Sequence, residues 1–266
     1  MPQFQVRTGE TIMLPLERQK KIIELLAVKK VLKLTELTED LDVSMDTLRR
    51  DINHLSSQGK IEKIYGGVKL METWLGESSM EERMVSHLDE KEKIARKCSD
   101  IIQDGDCIYI DSGSTTYQIA KFIKHKKNLT VVTNSIPVIN ELMQSDVELI
   151  IIGGKIRTQE QSVIAYDYIF NFHELNVRKA FICCSGITLE RGISDFNMEE
   201  AITRKKMIEL SSEVYIAADS TKFGKDVTVA IAPLDRIDAI ITDNNLDTGF
   251  IAKFKKTRTS LIVADL

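Results

Sequence analysis

Apolar residues recur at helical spacing near the start of the chain and in short unbroken runs further on. In residues 16–28, Leu16, Ile22, Ile23 and Leu26 fall on one face, which predicts a helix. A second helix is predicted over 35–41, with Thr35 placed to cap it and Leu37 and Leu41 four residues apart. Asp42-Val43-Ser44 breaks the chain. Ser44 then caps a third helix over 45–58, which stops at Gly59. This succession is the helix-turn-helix pattern. Residues 60–65 read as a strand, Gly66-Gly67 as a turn and 68–70 as a return strand, so a hairpin wing follows.

Beyond the wing the pattern changes. Residues 71–87 are polar and charge-rich, with a lone Trp74 read as a packing anchor, and are expected to form a linker. From residue 88 helix and strand alternate. Helices are predicted over 88–102, 116–123, 136–143 and 198–210, with a helical stretch over 163–172. Strands are predicted over 107–111, 129–133, 147–152, 179–184, 214–218, 227–231, 239–242 and 260–263. The strand runs are apolar without alternation, as in a sheet covered on both faces. The fold class is α/β: a winged helix-turn-helix at 15–70, then a doubly wound α/β domain at 88–266.

Composition adds little to this picture. The 266 residues are 43% hydrophobic and carry a net charge of −4. Residues 15–70 hold +2 and residues 1–14 hold none, so the body carries −6, a weak hint of a DNA-binding head. Cys98, Cys107, Cys183 and Cys184 lack metal or disulfide spacing and read as core thiols of a cytoplasmic protein. The scattered histidines give no metal cluster, and neither a metal nor a cofactor is expected. There is no membrane-spanning run and no signal sequence; residues 1–14 read as a frayed extension.

The third helix carries the first candidate chemistry. Leu48, Ile52 and Leu55 face the core. Asp46, Arg50, Asn53 and Ser57 point the other way, with Thr47 and Arg49 on the flanks. Such side chains reach base edges and phosphates in a major groove. Two arginines alone would equally suit an ordinary surface helix; the wing tips the balance. The candidate DNA-binding residues are Ser44, Thr47, Arg49, Arg50, Asn53, Lys60 and Lys63, with Lys69 also on the wing. The run from Val43 to Asn53, with Leu55, Gln58-Gly59 and Tyr65-Gly66-Gly67, resembles the head of the DeoR family of bacterial sugar-metabolism regulators. That resemblance implies a repressor that binds operator DNA.

In the body, polar and glycine residues recur just after the strands, where open α/β sheets bind ligands. They are Asp111, Ser112, Gly113, Ser114, Thr115 and Thr116; Asn134; Gly153, Gly154 and Lys155; Gly186; and Asp219 and Lys222. Gly113 lets a ligand approach the backbone, and the hydroxyls of 114–116 at a helix start suit a phosphate. The spacing is not that of a nucleotide P-loop. A capped helix start would look the same. Here too the order of motifs, including Glu200 and Arg204 in the 197–207 stretch, is similar to the DeoR sensor domain, which resembles the ribose-5-phosphate isomerase and CoA-transferase type of fold. Arg204 stands where that family usually has lysine. The resemblance implies a phosphorylated sugar as effector. One small head contacts few base pairs, so a homodimer or homotetramer is expected, and without a membrane-spanning run no membrane partner is expected. The alternative is a sugar-phosphate isomerase-like enzyme, since Asp111, Asp195, Glu200, Asp219 and Lys222 include the groups a proton shuttle needs. The intact head argues against it: the chain reads as a regulator and not an enzyme.

Overall fold

A computed structural model describes residues 13–29, 31–57, 60–70, 78–165, 176–255 and 257–265. The chain divides into two compact units, Met1–Glu77 and Ser78–Leu266.

The smaller unit contains α1 (Pro15–Lys29), β1 (Val31–Lys33), α2 (Leu34–Leu41), α3 (Met45–Ser57), β2 (Ile61–Ile64) and β3 (Gly67–Leu70). Asp42 adopts a left-handed conformation (φ 50°) that ends α2 and sets the tight turn. The Thr47 N–H donates to Ser44 Oγ (3.2 Å), so Ser44 caps α3 as its position predicts. Ile22, Leu26, Leu37, Leu41, Leu48, Ile52 and Leu55 form the core with Leu32, Ile61 and Val68 from the strands. A buried ion pair binds α1 to α3: Arg18 Nε donates to Asp51 Oδ2 (2.5 Å) and Gln19 Nε2 to Asp51 Oδ1 (2.9 Å).

Four expectations for this unit change. Leu16 is 80% exposed and not in the core. Thr35 lies inside α2; the residue before the helix is Lys33, which makes no side-chain cap. The strand β1, too short to show a period, pairs with β3 to give the order β1-β3-β2. The wing turns at Tyr65-Gly66, where Gly66 has φ +73°, while Gly67 pairs with Ile64. Gln58, Gly59 and Trp74 lie outside the described residues.

The larger unit opens with α4 (Met80–Val85) and α5 (Leu88–Ile101). Ser79 and Glu82 form a capping box on α4, and the Met80 N–H bonds the Gln159 carbonyl (3.1 Å). Residues 78–87, expected to be linker, therefore belong to this unit; 71–77 lie outside the described residues.

Then come β4 (Cys107–Ile110), α6 (Ser114–Ile123), β5 (Thr130–Thr133), α7 (Ile136–Leu142), β6 (Glu148–Ile151), β7 (Gly154–Arg157) and β8 (Ser162–Ala165). The chain continues with β9 (Val177–Ile182), β10 (Gly186–Thr188), β11 (Gly192–Asp195), α8 (Met198–Leu210) and β12 (Ser211–Ala217). It closes with β13 (Val229–Ala232), β14 (Ala239–Asp243), α9 (Thr248–Phe254) and β15 (Ser260–Ala264).

Seven strands form one parallel sheet in the order β15-β14-β12-β9-β4-β5-β6. Successive residues feed opposite cores, which is why the runs look uniformly apolar. Tyr109, Ala180 and Ile182 pack with Met207, Ile216 and Phe254, while Ile108, Ile110 and Phe181 pack with Ile94, Ile119 and Val138. The strand order reverses between β4 and β9, the position where doubly wound sheets open a crevice.

Here the structure also departs from the pattern. Residues 162–165, partly expected to be helical, form β8, which pairs with β7 as a hairpin; 166–172 lie outside the described residues. The short strands β10 and β11 and the helix α9 were not anticipated. The strand near 227–231 joins β10-β11-β13, a small antiparallel sheet, and not the main one. Among the described residues no helix is long and apolar enough to cross a membrane.

Candidate functional site

The exposed face of α3 carries Asp46, Arg49, Arg50, Asn53 and Ser57, opposite the buried Leu48, Ile52 and Leu55. The wing meets this face: Lys63 Nζ donates to Asn53 Oδ1 (2.5 Å). Ser44 and Thr47 are engaged in the cap, their hydroxyls 2.9 Å apart. Lys69 pairs with Glu62 (3.0 Å). Lys60 is half-buried at the base of the wing. Arg49 and Arg50, both exposed, are thus the strongest cationic groups the helix presents.

In the larger unit a buried charged cluster sits at the strand-order reversal. Asp111, just past β4, is fully buried. Its Oδ2 accepts from Arg204 Nε (2.6 Å) and from the Cys183 N–H (3.1 Å), and its Oδ1 accepts from the Ser112 N–H (2.8 Å) and the Tyr109 hydroxyl (3.1 Å). From α8, Arg204 reaches Asp195 with Nη1 (2.8 Å). Glu200, one turn earlier, accepts from Ser162 (2.5 Å) and Ser112 (3.3 Å). Burial disfavours the Asp111 carboxylate, yet the Arg204 guanidinium and the hydrogen bonds from Cys183 and Arg204 together outweigh that penalty and hold its pKa below the usual range. Burial also works against the charge on Arg204, but Asp111 and Asp195 keep it protonated. Glu200 goes the other way: burial pushes its carboxyl up, with Arg204 opposing.

A second group lies on the loop after β12. Asp219 opens a 3-10 turn and accepts from the Thr221 N–H (3.1 Å). Burial raises its pKa, but Lys222, the Thr221 hydrogen bond and Lys91 together bring the balance below the usual carboxylate range. Lys91, on α5, is 3% exposed and donates to the Arg83 and Ser86 carbonyls. Burial pushes its ammonium down to about 8, with Asp219 opposing and Lys222 reinforcing the shift. Lys225 is also lowered, by burial and then by Lys222. The Lys222 ammonium makes no hydrogen bond or contact ion pair among the described residues. The buried Cys184 thiol is pushed up to about 12 by burial, and Asp195, Arg204, Asp219 and Lys222 all act on it. Cys184 therefore links the two groups in space.

Several predicted ligand contacts have other partners. The Thr116 hydroxyl donates to the Asp111 and Gly113 carbonyls (2.7 and 3.1 Å) and staples the loop. Fully buried Asn134 accepts from Tyr109 (2.8 Å) and donates to the Val163 carbonyl (3.1 Å) and Ser112 (3.4 Å). A side chain on Gly113 would overlap Cys183, and one on Gly186 would strike the Lys225 carbonyl, so both glycines serve close packing of protein on protein. Gly153 and Gly154 lead into β7, where exposed Lys155 pairs with Glu199 (3.2 Å). Ser114 and Thr115, in the first turn of α6, make no side-chain hydrogen bond among the described residues. Sequence reasoning missed Lys91, Arg157, Cys183 and the part played by Asp195. Lys91 sits in the charged run Asp89–Lys93, which reads as a solvated helix start; only its 3% exposure sets it apart.

Residues 18–73 match the family model described as a DeoR-like helix-turn-helix domain, and residues 86–244 match the DeoR C terminal sensor domain. The HTH-type transcriptional regulator IolR of Bacillus subtilis is 38% identical over 218 residues, covering 82% of this chain and 86% of that protein. The glycerol-3-phosphate regulon repressor of Escherichia coli is 31% identical, covering 85% and 90%. Among solved structures, ribose 5-phosphate isomerase A from Methanocaldococcus jannaschii aligns with a TM-score of 0.40 at 16% identity, over 52% of this chain and 55% of that one. With both of its units matched in order, the chain belongs to the DeoR family of helix-turn-helix transcription regulators, and it is a DNA-binding regulator and not an enzyme.

Proposed function

We propose that this protein is a cytoplasmic repressor of a carbohydrate-catabolism operon, released or tightened on its operator by a phosphorylated sugar. The observation that carries the effector reading is that two buried groups, Asp219 and Lys91, act on each other electrostatically with Lys222, whose ammonium makes no hydrogen bond or contact ion pair among the described residues. An ammonium with no such partner of its own, near a second lysine that burial keeps short of solvent, suits an anionic ligand. A phosphate there would draw on Lys222 and Lys91, and the hydroxyls of Ser114 and Thr115 at the start of α6, on a loop at the same end of the sheet, are further donors. Ser112, Glu200 and Asp219 accept hydrogen bonds from sugar hydroxyls. Asp111, Arg204, Asn134 and Thr116 hold the frame. The name of the Escherichia coli relative, which carries a small polyol phosphate, agrees with this chemistry.

Calorimetry against a panel of sugar phosphates tests the assignment. Lys222→Ala is expected to weaken the binding of the responding compound about tenfold or more while leaving operator binding intact. If Lys222→Ala binds every compound as tightly as the parent, the site is misplaced. The pH dependence is a second check. Bound phosphate needs Lys91 charged, so affinity falls as pH rises through about 8, the value of the free protein. In Lys91→Arg, whose guanidinium stays charged, the same titration is flat across that range.

The working unit is a homodimer or homotetramer, because a single small head contacts few base pairs and paired heads read two half-sites. Analytical ultracentrifugation at micromolar concentration is expected to show at least a dimer. A monomer that binds its operator one protein per site contradicts this.

A further inference from the structure

A line of alternating charges runs from the effector cluster to α4, the element nearest in sequence to the DNA-binding unit. Arg204 Nη2 lies 3.9 Å from Glu200 Oε2. Glu200 Oε1 lies 3.6 Å from Arg157 Nη1, at the end of β7. Arg157 lies 4.0 Å from Glu160, in the turn between β7 and β8. Glu160 in turn holds the Arg83 guanidinium, on α4. Glu160 and Glu200 are each 1% exposed. The same turn holds α4 by its backbone, through the Met80 N–H on the Gln159 carbonyl, and Lys91 donates to the Arg83 and Ser86 carbonyls at the end of the helix.

We propose that this chain of charges couples the effector pocket to α4, with Glu160 and Arg83 as the positioning residues that hold that helix. The inference rests on the reading that the pocket at the strand-order reversal takes the effector. In a poorly solvated row each charge depends in part on its neighbours, so one that changes partner weakens the compensation of the next. A ligand hydroxyl that engages Glu200 competes with Arg157 for the same carboxylate. Arg157 then leans on Glu160, and Glu160 loosens its hold on Arg83. A ligand phosphate near Lys91 acts on α4 by a second route, through the Arg83 and Ser86 carbonyls that Lys91 holds. Both events bear on one short helix at the start of the larger unit.

Hydrogen–deuterium exchange on the full chain, without any ligand, tests the coupling. Glu200→Gln removes a charge at the pocket end and touches no residue of α4. It is expected to speed exchange of the α4 amides about tenfold while α9 exchanges as in the parent. Glu160→Gln, at the far end, is expected to do the same. The double variant is expected to exchange no faster than the quicker single, because both break one row. Unchanged α4 exchange in Glu200→Gln overturns the proposal. So does a double variant whose effect is the product of the singles. If Glu200→Gln does not fold, Arg157→Gln replaces it under the same criteria. Because no ligand is added, failure here leaves the effector site standing, and a failed sugar-phosphate screen leaves this result standing.

Discussion

Arg204→Met is expected to destabilise the larger unit by about 3–5 kcal/mol, the largest single effect in the sensor domain. The Arg204 side chain is 3% exposed and its two near neighbours, Asp111 and Asp195, are 1% and 4% exposed. Methionine fills the space but leaves two buried carboxylates without a cation. The cost of a broken buried pair is the desolvation of the charges left behind, not the loss of the bond itself. Urea denaturation followed by probes on each unit reads the effect: the transition of the larger unit moves and that of the smaller does not. A loss under about 1 kcal/mol would mean that water reaches the cluster and that the burial argument fails. Arg204→Lys is expected to lose less, since the charge remains but one ammonium cannot fork between two carboxylates. The acid limb follows from Asp111. Its folded pKa lies below the ordinary value, so its contribution is complete above the unfolded carboxylate pKa and is lost as pH falls through the folded one.

The second large effect is on DNA. Arg49→Ala and Arg50→Ala are each expected to cost about 1–3 kcal/mol of operator affinity if they read bases, so the double variant loses roughly a hundredfold or more. Both arginines are exposed, and the α3 core positions Leu48, Ile52 and Leu55 are untouched, so the helix keeps its seat. A gel-shift series with the native promoter separates the two roles. A residue that reads a base relaxes specificity at one position, and one that meets phosphate flattens the salt dependence. Both residues belong to the smaller unit, so effector affinity measured without DNA is expected to stay at the parent value. Unchanged operator affinity in the double variant would mean that α3 is not the reading helix.

Much of the fold was legible because its signals are local. The helix-turn-helix follows from the spacing of Leu37, Leu41, Leu48, Ile52 and Leu55 and from the Ser44 cap, all set within a few turns of chain. The parallel sheet follows from its unbroken apolar runs, and α8 spans the residues its pattern predicts, 198–210. Short elements escaped because β1, β10 and β11 are three or four residues long and carry no measurable period. The hairpin β7–β8 was misread in part because four apolar and small residues suit a strand and a helix equally well.

The site divides along the same line. By itself the sequence determined which loops follow the strands, and so placed Asp111, Ser112, Asp219 and Lys222 at one end of the sheet. It also determined which face of α3 carries Arg49 and Arg50. Only the tertiary structure decided what each side chain does there. Whether a hydroxyl or carboxylate is free for a ligand depends on partners distant in sequence. Thr116 is spent on its own loop, Asn134 on Tyr109 and Val163, and Arg204 on Asp111 and Asp195, while Lys91, unremarkable in a charged run, is buried beside Asp219. Hydrophobic period is a property of neighbours along the chain. Burial and charge compensation belong to neighbours in space, and those exist only once the sheet has brought β4, β9 and α8 together.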